Sequence, residues 1–231
     1  MAAKLEILAH EETPLGLLCL RRRELLSMPG TIVTEVTLNH EFLMSSYHTD
    51  SEQALARFGV EMHGGQDLKV LIGGLGLGYT ADATLQFPQV QSVEVIELLA
   101  QVIGWLEDGL LPLSETLLAD QRLAVMEGDG YAKMWNQPES AYDLILIDID
   151  HSPDDRLGAV DASFYSVEGL EKARHHLSPG GVLGIWSYEE SDPFAAAMGA
   201  VFDETRVEPV THENVLIDQT QTDWLYFGRN Q

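Results

Sequence analysis

The stretch that decides the fold is Lys69-Val70-Leu71-Ile72-Gly73-Gly74-Leu75-Gly76-Leu77-Gly78-Tyr79. A short apolar strand runs into a glycine-rich loop, and residues 79–85 then have helical character. Glycine lets a backbone turn tightly and approach a ligand closely, and a glycine loop between a strand and a helix is typical of a nucleotide site. We therefore predict that Gly73, Gly74, Gly76 and Gly78 bind a cofactor.

Strands and helices alternate on the C-terminal side of this loop. Apolar strands are predicted at residues 69–72, 93–96, 123–126, 142–147 and 182–186, and helices at 98–107, 131–135, 167–176 and 193–199. This alternation predicts an α/β fold with a mostly parallel sheet and helices on both faces. Two final strands, at 207–215 and 223–227, have no helix between them, which predicts an antiparallel hairpin at one sheet edge.

The N-terminal part of the chain has a different character. Short strands are predicted at residues 5–8, 15–21, 24–27 and 32–38, followed by a helix at 51–58 with Asp50 or Ser51 as its N-cap. The predicted organisation is a small, mostly β region over residues 1–66 and a nucleotide-binding domain over 67–231. Arg21-Arg22-Arg23 is interpreted as a solvated strand end, with a local anion patch as the alternative, and Trp186 as a core residue.

The spacing of the glycines indicates the class of cofactor. From Gly74 the pattern is G-x-G-x-G, and Tyr79 stands where a dinucleotide fingerprint has its last glycine. This favours S-adenosylmethionine over NAD. Glu97, followed by Leu98, comes directly after the second strand, where a carboxylate can accept hydrogen bonds from ribose hydroxyls. The alternative for Glu97 is an acid at a helix N-terminus.

A second acidic position follows the third strand. Asp129, within Gly128-Asp129-Gly130, is predicted to accept a hydrogen bond from an adenine amino group. The alternative is that Asp129 only caps the helix that begins near Tyr131. The glycine loop, Glu97 and Asp129 occur in the order that such a site requires.

Charge and composition exclude several classes of partner. The 231 residues include 13 Lys+Arg and 37 Asp+Glu, a formal charge of −24, with 45% hydrophobic residues. Such a chain is expected to bind neither nucleic acid nor an anionic membrane surface. Its only cysteine is Cys19, and it has neither a signal-like segment nor an apolar stretch long enough to span a membrane, so we expect a cytoplasmic protein.

The order of motifs from Val70 to Gly181 resembles the spermidine synthase family of aminopropyltransferases, within the class I S-adenosylmethionine-dependent methyltransferase fold. The matching pieces are Leu71-Ile72-Gly73-Gly74, Val95-Ile96-Glu97-Leu98, Glu127-Gly128-Asp129-Gly130, Tyr142-Asp143-Leu144-Ile145-Leu146-Ile147-Asp148, Ser163-Phe164-Tyr165-Ser166 and Leu177-Ser178-Pro179-Gly180-Gly181. The resemblance implies a seven-stranded Rossmann-like sheet, a small N-terminal β region and a homodimer.

The departures from that family concern the chemistry. In the family, an aspartate of the glycine loop contacts the amine of decarboxylated S-adenosylmethionine, and Gly76 stands at that position here. A tyrosine and a glutamate that hold the polyamine correspond to Ala54 and Ala56. After the fourth strand, Asp148 matches the first aspartate of the family's D-S-x-D-P motif, but the second is displaced.

These departures favour S-adenosylmethionine as cofactor and methyl transfer to a small-molecule acceptor, with an amine among the candidates. The alternatives are aminopropyl transfer from decarboxylated S-adenosylmethionine to a polyamine, and a non-catalytic nucleoside-binding relative. Asp148 is predicted to bind cofactor and to act as base or amine anchor, with Asp150 and His151 as further catalytic candidates. No metal is expected, and Tyr47, His48 and Asp50 are predicted either to reach over the cleft or to serve packing and capping.

Overall fold

The computed structural model describes residues 5–149, 152–153, 162–214 and 219–230, with side chains at 162–163 left undescribed. Its N-terminal part is a four-stranded antiparallel sheet in the order β1-β2-β3-β4. The strands are β1 (Leu5–Thr13), β2 (Gly16–Glu24), β3 (Ile32–Leu38) and β4 (Glu41–Ser45). The predicted strand at 24–27 is wrong, because β2 ends at Glu24 and the chain then turns, with Met28 N–H donating to the Leu25 carbonyl. Strand β4 was not predicted.

The remainder of the chain alternates between helices and strands, as predicted. The elements are α1 (Asp50–His63), β5 (Leu68–Gly73), α2 (Tyr79–Leu85), β6 (Val90–Glu97), α3 (Ala100–Glu107), α4 (Ser114–Ala119), β7 (Leu123–Glu127), α5 (Gly130–Trp135), β8 (Tyr142–Ile147), α6 (Val167–Arg174), β9 (Leu177–Ser187), α7 (Asp192–Val201), β10 (Glu204–Asn214) and β11 (Gln219–Arg229), with a 3₁₀ turn at Ala162–Tyr165 before α6. Helix α1 has Thr49 as its N-cap residue, so the predicted cap at Asp50 or Ser51 is wrong.

The C-terminal sheet has seven strands in the order β10-β11-β9-β8-β5-β6-β7. Strands β5 to β9 pair in parallel, and β11 runs antiparallel to both β9 and β10. This confirms the predicted α/β fold and the hairpin at one edge. The parallel pairing brings the carboxyl ends of β5, β6, β7 and β8 to one edge of the sheet, where ligands of open α/β sheets bind.

Helices cover both faces of this sheet, because successive residues of a strand point to opposite sides. Val70 and Ile72 of β5 belong to one apolar cluster, and Leu71 between them belongs to the other. The first cluster includes Leu55 of α1 and the second includes Met198 of α7. The predicted boundary between residues 66 and 67 stays a prediction, and α1, which precedes it, packs against β8, β9 and β11.

None of the helices in the described part of the chain is long and apolar enough to cross a membrane.

Candidate functional site

The glycine loop joins β5 to α2 at the carboxyl edge of the sheet, and two of its glycines are required by the backbone itself. Gly74 has a φ of 91°, and a Cβ there would lie 2.2 Å from the carbonyl oxygen of Asp148. Gly78 has a φ of 92°, and its Cβ would lie 2.5 Å from Cδ1 of Leu117. These glycines permit close packing between elements as well as a tight turn.

Gly76 is a third loop glycine with a positive φ. It has a φ of 54°, lines a cavity, and a Cβ there would lie 3.3 Å from Sδ of Met44 on β4. The loop therefore approaches the N-terminal sheet at this point. Gly73 lies at the end of β5, where it pairs with Ile96 and Ile147 on the neighbouring strands.

Glu97 ends β6 and is almost fully buried, with 8% of its surface exposed. Its Oε2 accepts a hydrogen bond from Leu75 N–H and its Oε1 one from Leu99 N–H, both at 2.8 Å. Burial raises the pKa of Glu97, and backbone N–H groups, including those of Gly76 and Leu98, oppose that rise. Glu97 thus fixes the glycine loop to the start of α3. The predicted contact of Glu97 with ribose hydroxyls stays a prediction.

Asp129 lies one strand further along the same edge. Its Oδ1 accepts hydrogen bonds from Tyr131 N–H at 2.9 Å and Ala132 N–H at 3.1 Å, so it is the N-cap of α5. The capping alternative is therefore observed, and the adenine contact stays a prediction. Gly128 and Gly130 pack closely on either side, since a Cβ at Gly128 would lie 3.3 Å from Ile96, and one at Gly130 would lie 3.7 Å from the Cα of Gly73.

A cavity of about 770 Å³ lies where the N-terminal sheet, α1 and the carboxyl edge of the seven-stranded sheet meet. Its lining includes Arg21, Arg23, Glu35, Met44, Tyr47, His48, Glu52, Gly76, Asp148, Trp186, His212 and Asp223. Its volume suits a small molecule. Trp186, predicted to fill the core, packs against the first apolar cluster and also lines this cavity, and its Nε1–H donates to Ser51 Oγ at 2.9 Å.

Besides Glu35, three carboxyl groups line this cavity from different parts of the chain. Glu52 comes from α1, Asp148 follows β8, and Asp223 lies on β11. Asp148 accepts a hydrogen bond from Thr80 Oγ1–H at 2.7 Å. Ser51 Oγ–H donates to Glu52 at 3.0 Å. The parallel sheet and α1 therefore assemble an acidic cluster from residues far apart in sequence.

Enclosure by the cavity walls controls the ionisation of this cluster. Burial, together with the charge of Asp148, raises the pKa of Glu52 to about 8. Burial, together with the charge of Asp223, raises the pKa of Asp148 to about 6, although the Thr80 hydrogen bond opposes the rise. Burial also raises the pKa of Asp223. At neutral pH, Asp148 is therefore ionised and Glu52 keeps its proton. A carboxylate in this state can hold an ammonium group and accept its proton.

Two histidines stack at the same cavity. The ring centroids of His48 and His212 are 4.4 Å apart, and His212 Nδ1 lies 4.0 Å from Oδ2 of Asp223. Burial and the neighbouring His212 lower the pKa of His48, so its ring is neutral at pH 7. The structure brings Tyr47 and His48 to the cleft, as one of the two interpretations predicted. Asp50 is exposed and is not among the cavity residues.

Two of the three predicted catalytic residues, Asp150 and His151, lie outside the described residues, whereas Asp148 lines the cavity. Glu52 and Asp223 were assigned no function from the sequence. A charged residue next to the apolar run Trp224-Leu225-Tyr226-Phe227 was a signal for Asp223. Nothing local distinguishes Glu52 from an ordinary acid in the first turn of a helix.

Comparisons with known proteins place this geometry in context. No protein-family model matches the chain. It is 33% identical over 125 residues to polyamine aminopropyltransferase 2 of Streptomyces coelicolor, covering 53% of this chain and 22% of that protein. It is 31% identical over 119 residues to a polyamine aminopropyltransferase of Prochlorococcus marinus, covering 52% of this chain and 40% of that protein. Putrescine N-methyltransferase 3 of Nicotiana tabacum is 28% identical over 115 residues, which are 50% of this chain and 29% of that protein.

Solved structures extend the resemblance to almost the whole chain. The spermidine synthase of Thermotoga maritima superposes with a TM-score of 0.74 at 16% identity, covering 97% of this chain and 72% of that one. A probable spermidine synthase of Corynebacterium glutamicum gives a TM-score of 0.64 with 79% of its chain covered, again at 16% identity over 97% of this chain. The chain thus resembles polyamine aminopropyltransferases in sequence over about half of its own length and less than half of theirs, and it has the fold of the spermidine synthases, a mostly parallel seven-stranded sheet with a small antiparallel β region before it.

Proposed function

We propose that this protein transfers an aminopropyl group from decarboxylated S-adenosylmethionine to an amine. The sequence alone favoured methyl transfer, because the loop aspartate is replaced by Gly76. Relatives named as aminopropyltransferases match at higher identity than those named as methyltransferases, and they favour the alternative. The observation that carries the proposal is the cluster of Glu52, Asp148 and Asp223 around one cavity.

The cluster suits an amine acceptor because amines are cationic at neutral pH. An ammonium group beside Asp148 is stabilised by a carboxylate in a partly enclosed site, where charges interact more strongly than in water. Asp223, whose pKa is also raised by burial, adds a second acidic group from β11. The resemblance to polyamine enzymes and the chemistry of the cavity therefore point to the same class of acceptor.

The remaining residues fit a nucleoside bearing a sulfonium group. The glycine loop, Glu97 and Asp129 lie along one sheet edge and are proposed to hold it, with Glu97 on the ribose and Asp129 on the adenine. Glu52 lines the same cavity as Gly76 and is proposed to contact the amine of the decarboxylated form, in place of the missing loop aspartate. This assignment gives the loop substitution a compensating carboxyl group from α1.

The proposed chemistry needs one base and good alignment. The acceptor ammonium gives a proton to the Asp148 carboxylate, and its nitrogen lone pair then forms a bond to the methylene carbon next to sulfur. The carbon–sulfur bond breaks, and its electron pair stays on sulfur, which becomes a neutral thioether. Positioned general bases contribute roughly 10²–10⁴-fold to such steps.

Methyl transfer to an amine is the second candidate. It is supported by the putrescine N-methyltransferase relatives and by Gly76, which stands where the resembled aminopropyltransferases have an aspartate that contacts the amine of the decarboxylated compound. The same acidic cluster would hold the amine in either reaction. The homodimer that the resemblance implies stays a prediction, and light scattering tests it.

Turnover with each sulfonium compound separately tests the proposal. The protein is incubated with decarboxylated S-adenosylmethionine and a panel of amines, and mass spectrometry identifies the product. We expect an aminopropylated amine, and Asp148→Asn should lower kcat/KM about 100-fold or more. The control is Asp120→Asn, whose carboxylate pairs with Arg122 and is absent from the cavity lining. Methylated product from S-adenosylmethionine alone would establish the second candidate, and no product from either would leave a nucleoside-binding relative.

A further inference from the structure

Two arginines of the N-terminal sheet share one buried carboxylate at the cavity wall. Arg21 and Arg23 lie on β2, and Glu35 lies on β3 directly opposite Arg21. Arg21 Nε–H donates to Glu35 Oε2 and Arg23 Nε–H to Oε1, both at 2.9 Å, and the guanidinium Nη2 atoms lie within 2.8 Å of the same oxygens. All three residues line the cavity. The cavity therefore has a basic part as well as an acidic one.

This cluster keeps a net positive charge. Burial alone would raise the pKa of Glu35, but the hydrogen bonds from Arg23 and Arg21 outweigh it and lower that pKa, so the carboxylate stays ionised. The same hydrogen bond raises the pKa of Arg23. Two guanidinium groups against one carboxylate leave one uncompensated positive charge at the cavity wall.

The arginines also keep unused donors. Their contacts to Glu35 use Nε and one terminal nitrogen, and across the described residues the other terminal nitrogen, Nη1, of each has no hydrogen-bond partner. The Arg21 and Arg23 side chains are 33% and 30% exposed. Arg22 points to the other face of the strand, where it lies 3.9 Å from Glu6. Only the inward pair can therefore contact a ligand in the cavity.

We propose that Arg21 and Arg23 bind a carboxylate of the acceptor, so that the acceptor is an amino acid-like amine rather than a plain diamine. The inference rests on the proposed function, because it assigns the acceptor for that same cavity. The acidic cluster on α1, β8 and β11 would hold the reacting ammonium group, and the arginine pair on β2 the carboxylate. Arginine suits this task because its planar donors match a carboxylate.

A carboxylate could also belong to the methionine part of S-adenosylmethionine. In the proposed arrangement the methionine part lies beside Gly76, and Gly76 approaches Met44 on β4. Strand β2 lies two strands beyond β4 in the sheet, which is roughly 10 Å at the usual strand spacing. This distance favours the acceptor as the source of the carboxylate.

Calorimetric titration tests the subsite independently of turnover. Putrescine and ornithine share the same diamine chain and differ by one carboxylate, and both are titrated into the protein saturated with methylthioadenosine. We expect ornithine to bind at least about tenfold more tightly, since hydrogen bonds to charged groups typically contribute that much or more. Arg23→Met should weaken ornithine binding about tenfold and putrescine binding less than twofold, and Arg22→Met should change neither.

Arg21→Met provides a second variant. Ornithine methyl ester tests recognition of the carboxylate with the unaltered protein, which should bind the ester no better than putrescine. Tighter binding of putrescine than ornithine to the unaltered protein, or equal effects of Arg23→Met on both, would overturn the inference. Loss of S-adenosylmethionine binding in Arg23→Met, with ornithine unaffected, would assign the carboxylate to the sulfonium compound instead. Arginine-dependent ornithine binding without any aminopropylated product would retain the subsite and refute the proposed function.

Discussion

Replacing Asp148 with asparagine should make the protein more stable at neutral pH while it removes activity. The pKa of Asp148 is about 6 in the folded protein against 3.8 as the ordinary value, because burial and Asp223 disfavour the charged form. Between pH 3.8 and about pH 6, Asp148 therefore holds its proton more often in the folded protein than in the unfolded one. The stability of the protein therefore falls as pH rises through this window. Asparagine carries no charge to desolvate, and its side-chain oxygen can still accept the Thr80 hydrogen bond.

The pKa shift of Asp148 sets the size of the expected change in unfolding free energy. The pKa difference between 3.8 and about 6 means that the Asp148 charge lowers the unfolding free energy by about 3 kcal/mol above pH 6. Near pH 4 the cost is much smaller. Asp148 is half-buried in an open cavity, so water screens part of this cost. We therefore expect Asp148→Asn to be about 1–3 kcal/mol more stable than the unaltered protein at pH 7.

Urea unfolding followed by tryptophan fluorescence at pH 4.5 and pH 7 measures this difference. Asp120→Asn is a control of opposite sign, because hydrogen bonds from Arg122 lower the pKa of Asp120 and its charge is stabilising. Asp148→Asn should gain stability at pH 7 and lose most of that gain at pH 4.5. Equal or lower stability of Asp148→Asn at pH 7, or a gain independent of pH, would show that the buried charge of Asp148 does not destabilise the folded protein.

Three further predictions concern the loop and the ionisable groups. Gly74→Ala should lower the unfolding free energy by about 2–4 kcal/mol, because the φ of Gly74 is 91° and an added Cβ would lie 2.2 Å from the carbonyl oxygen of Asp148. The control is Gly104→Ala, at a position in α3 with open space around it, which should raise the unfolding free energy by about 0.5–1 kcal/mol. Glu52→Gln should keep the acid break near pH 6 in the profile of kcat/KM, which belongs to Asp148, and remove the change near pH 8 where Glu52 ionises. Glu35→Gln should destabilise the protein at neutral pH, with the difference shrinking as pH falls, because the lowered pKa of Glu35 makes its stabilising charge disappear in acid.

Each of these predictions has its own measurement. Urea unfolding compares the two glycine variants, and equal stabilities would contradict the close approach at Gly74. Initial rates from pH 5 to 9 test Glu52→Gln, and an unchanged alkaline break would mean that another group titrates there. Thermal unfolding at several pH values tests Glu35→Gln, for which a difference that grows in acid would contradict the sign.

The sequence predicted the nucleotide edge of the fold well, because that edge is built from local patterns. Each strand is a short apolar run, and the predicted acidic residue stands at its carboxyl end, as Glu97 ends β6 and Asp148 follows β8. Parallel pairing then brings these ends together. The glycine loop lies between β5 and α2 as predicted, and Gly74 and Gly78 are explained by packing against Asp148 and Leu117, whereas their cofactor contact stays a prediction.

The acceptor side of the cavity could not be predicted in the same way, because it depends on tertiary contacts. Glu52 and Asp223 lie near opposite ends of the chain and meet Asp148 only after α1 packs on the sheet and β11 inserts beside β9. From the sequence, Arg21 and Arg23 were interpreted as a solvated strand end, with a local anion patch as the alternative. Strand alternation alone does not reveal which face of β2 another part of the chain covers. The loss of the family's amine-binding residues was therefore visible in the sequence, but the carboxyl groups that surround the cavity were not.

The central claim is that the acidic cavity directs transfer of an aminopropyl group to an amine. An equimolar mixture of decarboxylated S-adenosylmethionine and S-adenosylmethionine, offered with ornithine and putrescine together, tests it in a single mass spectrum. We expect an aminopropylated amine as the main product, and its absence in Asp148→Asn. A methylated amine as the main product, formed in preference to the aminopropylated one, would contradict it.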